Sequence, residues 1–438
     1  MKRSHLPGRL WRTCLGCLGL SIMFTMAMHS HAQGESIAPL TLDETLLRVL
    51  QHNPSLRVFE VRMRGLEGLR QSARLRPELV LEAEVENIAG QGELSGLNAA
   101  EQTVALSSVL ELGGERNARV AVASAQVGRL QAEREATALE VLGGATNAFI
   151  GALAAQRQLE LAEDAVALAQ STYRTVQRRA QAGAAPDAEV LRAKADLAQA
   201  RLALAQLKRA FEAKRVELAI FWGATRADFS TLKGDLYALE VADDFDSLFA
   251  RLERSAALAV YASEERIRQA ELRLARAAAT PDIGWSLGVR RMEETGDSAF
   301  VAGVSIPLFS GQRGRGDVRS AESRLHQTRL ERDSALLSFR AKLFGAYQAR
   351  QQNVEVVDAL KDEIIPALTL ALDQTRKAYE LGRYSYLDLA AVQKELLEAR
   401  EALIQAAASA LAQGALIEQL TAEPLTASTA RQHPLKNP

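Results

Sequence analysis

Two glycine turns that lie 199 residues apart constrain the fold more than any other feature of this chain. The first turn begins at Gly183 (GAAPDAEV) and the second at Gly382 (GRYSYLDL), and each carries a carboxylate six residues after its glycine. Both turns are flanked by long runs rich in Ala, Leu, Gln, Glu and Arg. A repeat of this period indicates that one helix–turn–helix unit occurs twice in the chain.

The runs beside each turn predict long helices, because apolar residues recur in them at three- and four-residue intervals, as at Leu161, Ala165 and Leu168. At a rise of ~1.5 Å per residue, the longest helix would measure roughly 100 Å. Pro366 predicts a kink in the second long helix. In the first copy we predict a helix over about 41–73, a long helix over 115–182 and a return helix that ends near 222. In the second copy we predict a helix that ends near 278, a long helix over 313–381 and a return helix that ends near 420.

Each copy also contains two segments with the two-residue period of a β-strand that separates two environments. In the first of them, apolar residues alternate with Glu82, Glu84 and Glu86. The segments are about ten residues long, which is the length of a tilted transmembrane strand. Four strands cannot close a barrel in lipid, because small barrels begin at about eight strands. Three chains would supply twelve strands; the alternative is a small soluble sheet that covers a helical bundle.

The first 32 residues predict a cleavable signal peptide, because basic residues precede an apolar stretch that ends in Ser30-His31-Ala32. A membrane anchor is the rival interpretation, and Leu15-Gly16-Cys17 weakly resembles a lipoprotein box. Both cysteines, Cys14 and Cys17, fall in this leader, so the mature chain has neither a disulfide nor a thiol nucleophile. No later segment carries 18 consecutive apolar residues.

These markers predict five parts. After the signal peptide (1–32), a first repeat spans 33–222, a linker or equatorial segment spans 223–246, a second repeat spans 247–421, and a C-terminal tail spans 422–438.

Composition and motifs argue against several classes of function. The formal net charge is −1 with acids and bases interspersed, which gives no support for nucleic-acid binding. No nucleotide-binding Walker loop and no Ser/His or Cys/His constellation is present. His52, His326 and His433 lack the spacing of metal ligands. We therefore expect neither an enzyme, nor a cofactor, nor a dedicated metal site.

The chain resembles the TolC-like outer-membrane factors over essentially its whole mature length. The resemblance rests on the duplication of roughly 200 residues, on the paired tips, and on the sequences GGER at 113–116 and PLFSGQR at 307–313 that close the strand pairs. Within that family the chain is most similar to the CzcC-like heavy-metal efflux branch.

The resemblance implies a mainly α fold in which a long coiled-coil-like α-barrel projects into the periplasm beneath a 12-stranded β-barrel, completed in the outer membrane by a homotrimer. It also implies a periplasmic adaptor and an inner-membrane pump of the RND type as partners. The function so implied is a passive exit duct for efflux. Two alternatives remain. One is an outer-membrane channel of type I protein secretion, and the other is a periplasmic coiled-coil adaptor or structural protein, against which the four strands argue.

The tips carry most of the candidate site residues. The resemblance assigns adaptor docking to the tips. The residues so assigned are Gly183 and Glu189 in the first tip, and Gly382, Arg383, Tyr384 and Tyr386 in the second, where the last three are expected to project. The resemblance also places Asp388 in an acidic ring at the aperture, where three like charges would favour cations. A second acid of relatives falls on Ala391 and an arginine of relatives falls on Tyr384, so this chain lacks both.

Each of these assignments has a structural alternative. Asp388 could instead cap the return helix of the second tip. For Glu189, the counterpart of Asp388 in the first tip, and for Asp187, capping is the preferred interpretation. Glu82, Glu84 and Glu86 are predicted to face the barrel lumen, because the lipid face must be apolar, and the alternative is an ordinary solvated face.

Overall fold

The computed structural model describes residues 39–239 and 243–422. The predicted signal peptide, the tail from residue 423 onward and residues 240–242 of the linker lie outside these ranges. The described chain is mainly helical with four strands, as predicted. The strands are β1 (Val80–Glu86), β2 (Glu101–Leu110), β3 (Ile283–Met292) and β4 (Ser298–Ser305). The helices are α1 (Leu42–His52), α2 (Pro54–Ala73), α3 (Glu115–Gln181), α4 (Asp187–Ile220), α5 (Phe245–Leu252), α6 (Ala256–Ala278), α7 (Ser310–Arg313), α8 (Arg315–Ala359), α9 (Ile365–Glu380) and α10 (Tyr386–Thr421).

The four strands form one antiparallel sheet in the order β1-β2-β3-β4. Strands β2 and β3 pair along their whole length, although the entire first helical hairpin separates them in sequence. The β1–β2 and β3–β4 connections lie at one end of the sheet, and the α-helices connect to the strands at the other end, which we call the foot. The two copies of the repeat therefore contribute two adjacent halves of one sheet.

Below the foot, the helices pack side by side. Helices α2 and α4 contact α3, and α3 also contacts α6 and α10. Helix α8 contacts α6 and α10, and α9 contacts α10. Helix α3 has 67 residues and runs the length of the helical part. The largest core cluster gathers Phe149 and Leu153 of α3, Leu218 of α4, and Phe229 and Leu236 of the linker. The linker also pairs with the N-terminal end of the described chain through Leu40 and Leu232.

Three predicted helices are interrupted. The helix predicted to end near residue 278 is divided into α5 and α6 by residues 253–255. The helix expected over 41–73 is broken at Asn53, whose side chain accepts hydrogen bonds from the N–H groups of Ser55 and Leu56 at 2.9 and 3.3 Å and so starts α2 at Pro54. A proline at the first helical position fits this start, because its missing N–H would have no partner there. The second long helix, in which the sequence predicts a kink at Pro366, is interrupted just before that residue by a π-helical turn over Leu360–Ile364, which separates α8 from α9.

Helix α3 is the single helix of the described ranges that is long and apolar enough to cross a membrane by length and composition. Its residues Ala145, Phe149 and Leu153 are buried in the largest core cluster. Packing against neighbouring helices therefore accounts for its apolar character.

Candidate functional site: the helical tips and the two-faced sheet

The two tips have the same backbone geometry. Gly183 and Gly382 have φ angles of 73° and 76°, in the left-handed region that favours glycine. After Gly183, the N–H of Ala184 donates to the carbonyl of Arg179 at 2.8 Å, and after Gly382, the N–H of Arg383 donates to the carbonyl of Ala378 at 2.9 Å. These bonds close the long helices with left-handed glycine turns.

The second tip begins its return helix with a capping box. The Ser385 side chain accepts a hydrogen bond from the N–H of Asp388, and the Asp388 carboxylate accepts one from the N–H of Ser385 at 2.9 Å. The Ser385 hydroxyl, and after it the Ser385 N–H, hold the pKa of Asp388 below its usual value. The carboxylate therefore stays charged at neutral pH, and the cap is lost only as the pH falls through that lowered pKa.

The first tip is not capped in this way. Its return helix starts after Pro186 without a side-chain cap, so the capping predicted for Asp187 is not observed. Glu189 does not serve as the expected cap either: its carboxylate accepts a hydrogen bond from the Tyr379 hydroxyl of the other hairpin at 3.0 Å. The sequences of the two copies differ here, because the first tip has Pro186 where the second has Ser385.

Tyr386 was expected to project from the second tip, and its position corrects that expectation. Its side chain is 3% exposed and its hydroxyl donates to Asp196 of α4. Tyr386 and Tyr379 pack edge to face, with ring centroids 6.5 Å apart, in a cluster that also contains Val176 and Leu389. Two tyrosines of the second hairpin therefore donate hydrogen bonds to two acids of the first hairpin.

The chemistry of this contact is that of buried neutral phenols beside carboxylates. Burial, and after it the hydrogen bond to Glu189, raises the pKa of Tyr379 to about 12. Burial and the bond to Asp196 raise the pKa of Tyr386 as well. The Arg179 guanidinium lies 4.3 Å from the centroid of the Tyr379 ring and donates to the Tyr379 carbonyl. We call Tyr379, Tyr386, Glu189, Asp196 and Arg179 the tip link.

The outermost part of the second tip is exposed. Arg383 and Tyr384 project into solvent as predicted. Two leucines that the sequence analysis did not single out, Leu381 and Leu387, are 68% and 58% exposed on either side of them. The signal in the sequence is the presence of leucines within a tight turn, where no core is available to bury them.

The sheet has one apolar and one polar face. Directly paired residues share a face, so the register assigns every strand residue to one side. The apolar face is exposed along most of its length, with Phe300 93% exposed. Its large apolar side chains are Leu81, Val85, Val104, Leu106, Leu110, Ile283, Trp285, Leu287, Val289, Phe300 and Val304. The polar residues Gln102, Ser108, Arg291 and Ser298 share this face.

The polar face carries the predicted acids Glu82, Glu84 and Glu86, together with Glu101 and Arg290. The Arg290 guanidinium lies 2.8 Å from Glu101 and 3.1 Å from Glu86, and its Nε donates to Thr103 at 3.0 Å. These are the charged residues of that face within the four strands, so acids outnumber the single arginine. Arg290 was missed by sequence reasoning, because its partners lie in the other copy of the repeat.

The edges of the described chain are open. Strands β1 and β4 each pair on one side only. The outer helices also expose apolar side chains along their lengths. They are Val58, Val61 and Leu69 of α2, Leu191, Leu202, Val216 and Ile220 of α4, and Leu330, Leu337, Phe344, Val356 and Leu370 of α8 and α9.

Comparison with known proteins gives consistent matches. The sequence model of the outer membrane efflux protein family matches residues 46–224 and 250–423. The cobalt-zinc-cadmium resistance protein CzcC of Cupriavidus metallidurans is 26% identical over 412 residues, which cover 91% of this chain and 94% of that protein. The nickel-cobalt-cadmium resistance protein NccC of Alcaligenes xylosoxydans is 25% identical, with 73% of each chain covered.

Solved structures share the fold. The outer-membrane channel OprN superposes with a TM-score of 0.74 at 19% identity, covering 88% of this chain and 90% of that one. CusC, whose structures describe transmembrane channel formation, gives a TM-score of 0.72 at 17% identity, covering 88% and 93%.

Proposed function

The chain belongs to the outer membrane efflux protein family and is an outer-membrane efflux channel, and we propose that it is the exit duct for heavy-metal cations in a tripartite pump. The observation that carries the proposal is the two-faced sheet with unpaired edges, which stands on helices that reach roughly 100 Å. Such a sheet fits lipid on one side and water on the other. We propose that the channel itself is passive and that transport energy comes from the inner-membrane partner.

The open edges support a homotrimer. Unpaired strand edges in lipid leave backbone groups without partners at a cost of several kcal/mol each. Closure of three four-stranded sheets would remove all such edges and give the twelve-stranded barrel. The exposed apolar stripes on α2 and α4 and on α8 and α9 would be buried by the same closure, since they lie on the outer helices.

The metal assignment rests on relatives and on charge. CzcC and NccC are resistance proteins against cobalt, zinc, cadmium and nickel, as their names state. The polar face of the sheet would line the lumen, where its excess of acids favours cations over anions. We propose that Asp388 adds a second acidic ring at the helical tips while it also caps its own helix.

At the tips we propose contact with the periplasmic adaptor through Gly183, Gly382, Arg383 and Tyr384. Arg383 and Tyr384 are exposed at the end of the hairpin, where a partner could reach them. Glu189 and Tyr386, which were assigned to this contact from the sequence, instead belong to the tip link. We propose that they hold the two hairpins together rather than bind the adaptor.

A deletion strain tests the substrate class. The strain is challenged with cobalt, zinc, cadmium, dyes and antibiotics, and then complemented with the intact gene. We expect restored resistance to the divalent cations and unchanged sensitivity to the organic compounds. Resistance restored only to dyes and antibiotics would contradict the metal assignment, and loss of a secreted protein from the medium would favour the type I secretion alternative.

Two substitutions separate the charge of Asp388 from its cap. Asp388→Asn removes the charge, whereas Ser385→Ala removes the capping hydroxyl and keeps the charge. We expect Asp388→Asn to lower the cation-over-anion permeability ratio in planar bilayers by roughly two- to five-fold. We expect Ser385→Ala to leave that ratio unchanged while it lowers thermal stability slightly, since the cap is lost. Equal ratios for both variants would leave Asp388 with a capping role alone.

The polar face of the sheet gives a second electrical prediction. The triple variant Glu82→Gln, Glu84→Gln and Glu86→Gln should lower the cation-over-anion permeability ratio by roughly two- to five-fold, because three negative charges leave each chain's share of the lumen. Arg290→Gln should raise the ratio, since Arg290 is the one cation of that face within the strands.

The neighbouring arginine is the matched control for this prediction. Arg291 lies on the opposite face of β3, where it pairs with Gln102. Arg291→Gln should leave the permeability ratio unchanged. A change in the ratio as large as that of Arg290→Gln would show that the two faces are not separated as proposed.

A further inference from the structure

A groove of about 520 Å³ lies where the foot of the sheet meets the helices. Its upper wall is apolar and comes from three neighbouring strands: Leu79 just before β1, Leu110 at the end of β2 and Trp285 of β3. Leu110 and Trp285 belong to the apolar face of the sheet. The lower wall carries two cationic side chains, Arg76 and Arg116.

The unpaired charge of this groove is positive. Neither Arg76 nor Arg116 has an ion-pair or hydrogen-bond partner within residues 39–239 and 243–422. Glu111, the acid that lines the groove, is already bonded to Arg119.

The nearby acids outside the groove are engaged as well. Glu115 lies 3.6 Å from Arg119, and the Asp282 carboxylate accepts a hydrogen bond from the N–H of Leu112 at 3.1 Å. None of these contacts involves Arg76 or Arg116, so both guanidinium groups keep their hydrogen-bond donors available for an outside ligand.

The groove remains accessible when the sheet edges are paired. It is centred on β2, which lies between β1 and β3, whereas the strands that would meet neighbouring chains do so at the outer sides of β1 and β4. It opens beside the apolar face at the end from which the helices descend. In an outer-membrane channel this is the level of the inner leaflet.

We infer that the groove binds an anionic phospholipid of the inner leaflet. The acyl chains lie along Leu79, Leu110 and Trp285, and the phosphate lies between Arg76 and Arg116. Guanidinium groups bind phosphate oxygens through paired hydrogen bonds, and basic pockets beside membrane-spanning segments favour anionic head groups. Trp285 is at the depth where an indole ring is stabilised between hydrocarbon and head groups. The inference rests on the insertion of the sheet into the outer membrane.

Fluorescence of Trp285 tests the inference directly. Trp11 lies in the predicted leader, so a Trp222→Phe background makes Trp285 the reporter in the mature chain. The protein is reconstituted in phosphatidylcholine vesicles that contain equal fractions of either brominated phosphatidylglycerol or brominated phosphatidylcholine. We expect quenching to give a relative affinity roughly ten-fold higher for phosphatidylglycerol, with the preference reduced by salt.

Paired substitutions locate the preference. In the double variant Arg76→Gln with Arg116→Gln, both lipids should quench equally. The matched control is Arg134→Gln with Arg209→Gln, which removes the same charge from exposed positions on α3 and α4, and it should keep the preference. Equal quenching in the unsubstituted protein, a preference that survives in the Arg76/Arg116 variant, or its loss in the control would each overturn the inference.

Fractionation of the same samples distinguishes failure of the groove from failure of the membrane assignment. Protein that fractionates with the outer membrane and shows no lipid preference contradicts the groove alone. Protein recovered from the soluble periplasmic fraction contradicts the membrane insertion on which the groove depends.

Discussion

Replacement of Gly382 by glutamate is expected to abolish metal resistance while trimers still form. The glycine has a φ of 76°, a region that costs an L-residue roughly 1–2 kcal/mol. A Cβ added there would meet only the Arg179 guanidinium at 3.6 Å, which is ordinary contact. The substitution therefore distorts and charges the turn that we propose for adaptor contact, without disrupting the core. Resistance in a complemented deletion strain and heat-modifiable gel mobility are the two readouts.

A matched control exists at the opposite end of the molecule. Gly296 has a φ of 73° in the turn between β3 and β4, and a Cβ added there would meet nothing within 4 Å. Gly296→Glu imposes the same backbone strain and charge far from the tips, and we expect nearly normal resistance. Normal resistance in Gly382→Glu, or equal losses in the two variants, would contradict a docking role for the second tip.

The double variant Tyr379→Phe with Tyr386→Phe is expected to favour opening of the channel at its helical tips, because the tip link holds the two hairpins of each chain together. It keeps both rings in the cluster and removes the hydroxyls that donate to Glu189 and Asp196. Hydrogen bonds to charged groups contribute about 1.5–3 kcal/mol each. If both bonds break on opening, their loss shifts the equilibrium toward the open state by roughly a hundred-fold or more. We expect a higher basal conductance in planar bilayers and greater sensitivity of cells to large antibiotics.

The tip link also predicts a pH dependence. The pKa of Tyr379 is raised above its ordinary value to about 12, so the stabilisation is fully present below pH ~10 and is lost as the pH rises through about 12. The phenols should therefore contribute no change in basal conductance between pH 6 and pH 9.

Tyr384→Phe is the control for the double variant. Tyr384 is exposed at the same tip, and its hydroxyl has no hydrogen-bond partner in the part of the chain that the structure describes. This variant should keep the basal conductance of the unsubstituted protein. If the Tyr379/Tyr386 double variant also keeps the basal conductance of the unsubstituted protein, the two hydroxyl hydrogen bonds do not hold the tips together.

The features that the sequence predicts well are those set by local patterns. The two-residue period predicts the four strands, and the glycines predict the ends of the long helices. Both signals depend only on residues a few positions apart, and the structure confirms both predictions. The break at Asn53 also has a local signal, because Asn-Pro favours a new helix start, whereas the apolar period alone predicts one continuous helix.

The features that the sequence did not predict depend on how the two copies meet. Tyr386 faces inward because α4 of the first copy lies beside it, and the partner residue Asp196 is 190 positions away. Arg290 joins Glu86 and Glu101 only because β2 pairs with β3. A duplicated sequence suggests equivalent roles for Glu189 and Asp388, yet one accepts a tyrosine hydroxyl and the other caps its own helix. The register between copies, rather than the repeat itself, decides these roles.

The mass of the protein extracted from purified outer membranes tests the central claim most directly. The detergent-solubilised complex is measured by light scattering after size-exclusion chromatography, with the detergent contribution subtracted. The account predicts outer-membrane fractionation and a protein mass three times that of the mature chain, because only closure of the open sheet edges by further copies satisfies the strands in lipid. A monomer recovered from the soluble periplasmic fraction would contradict it.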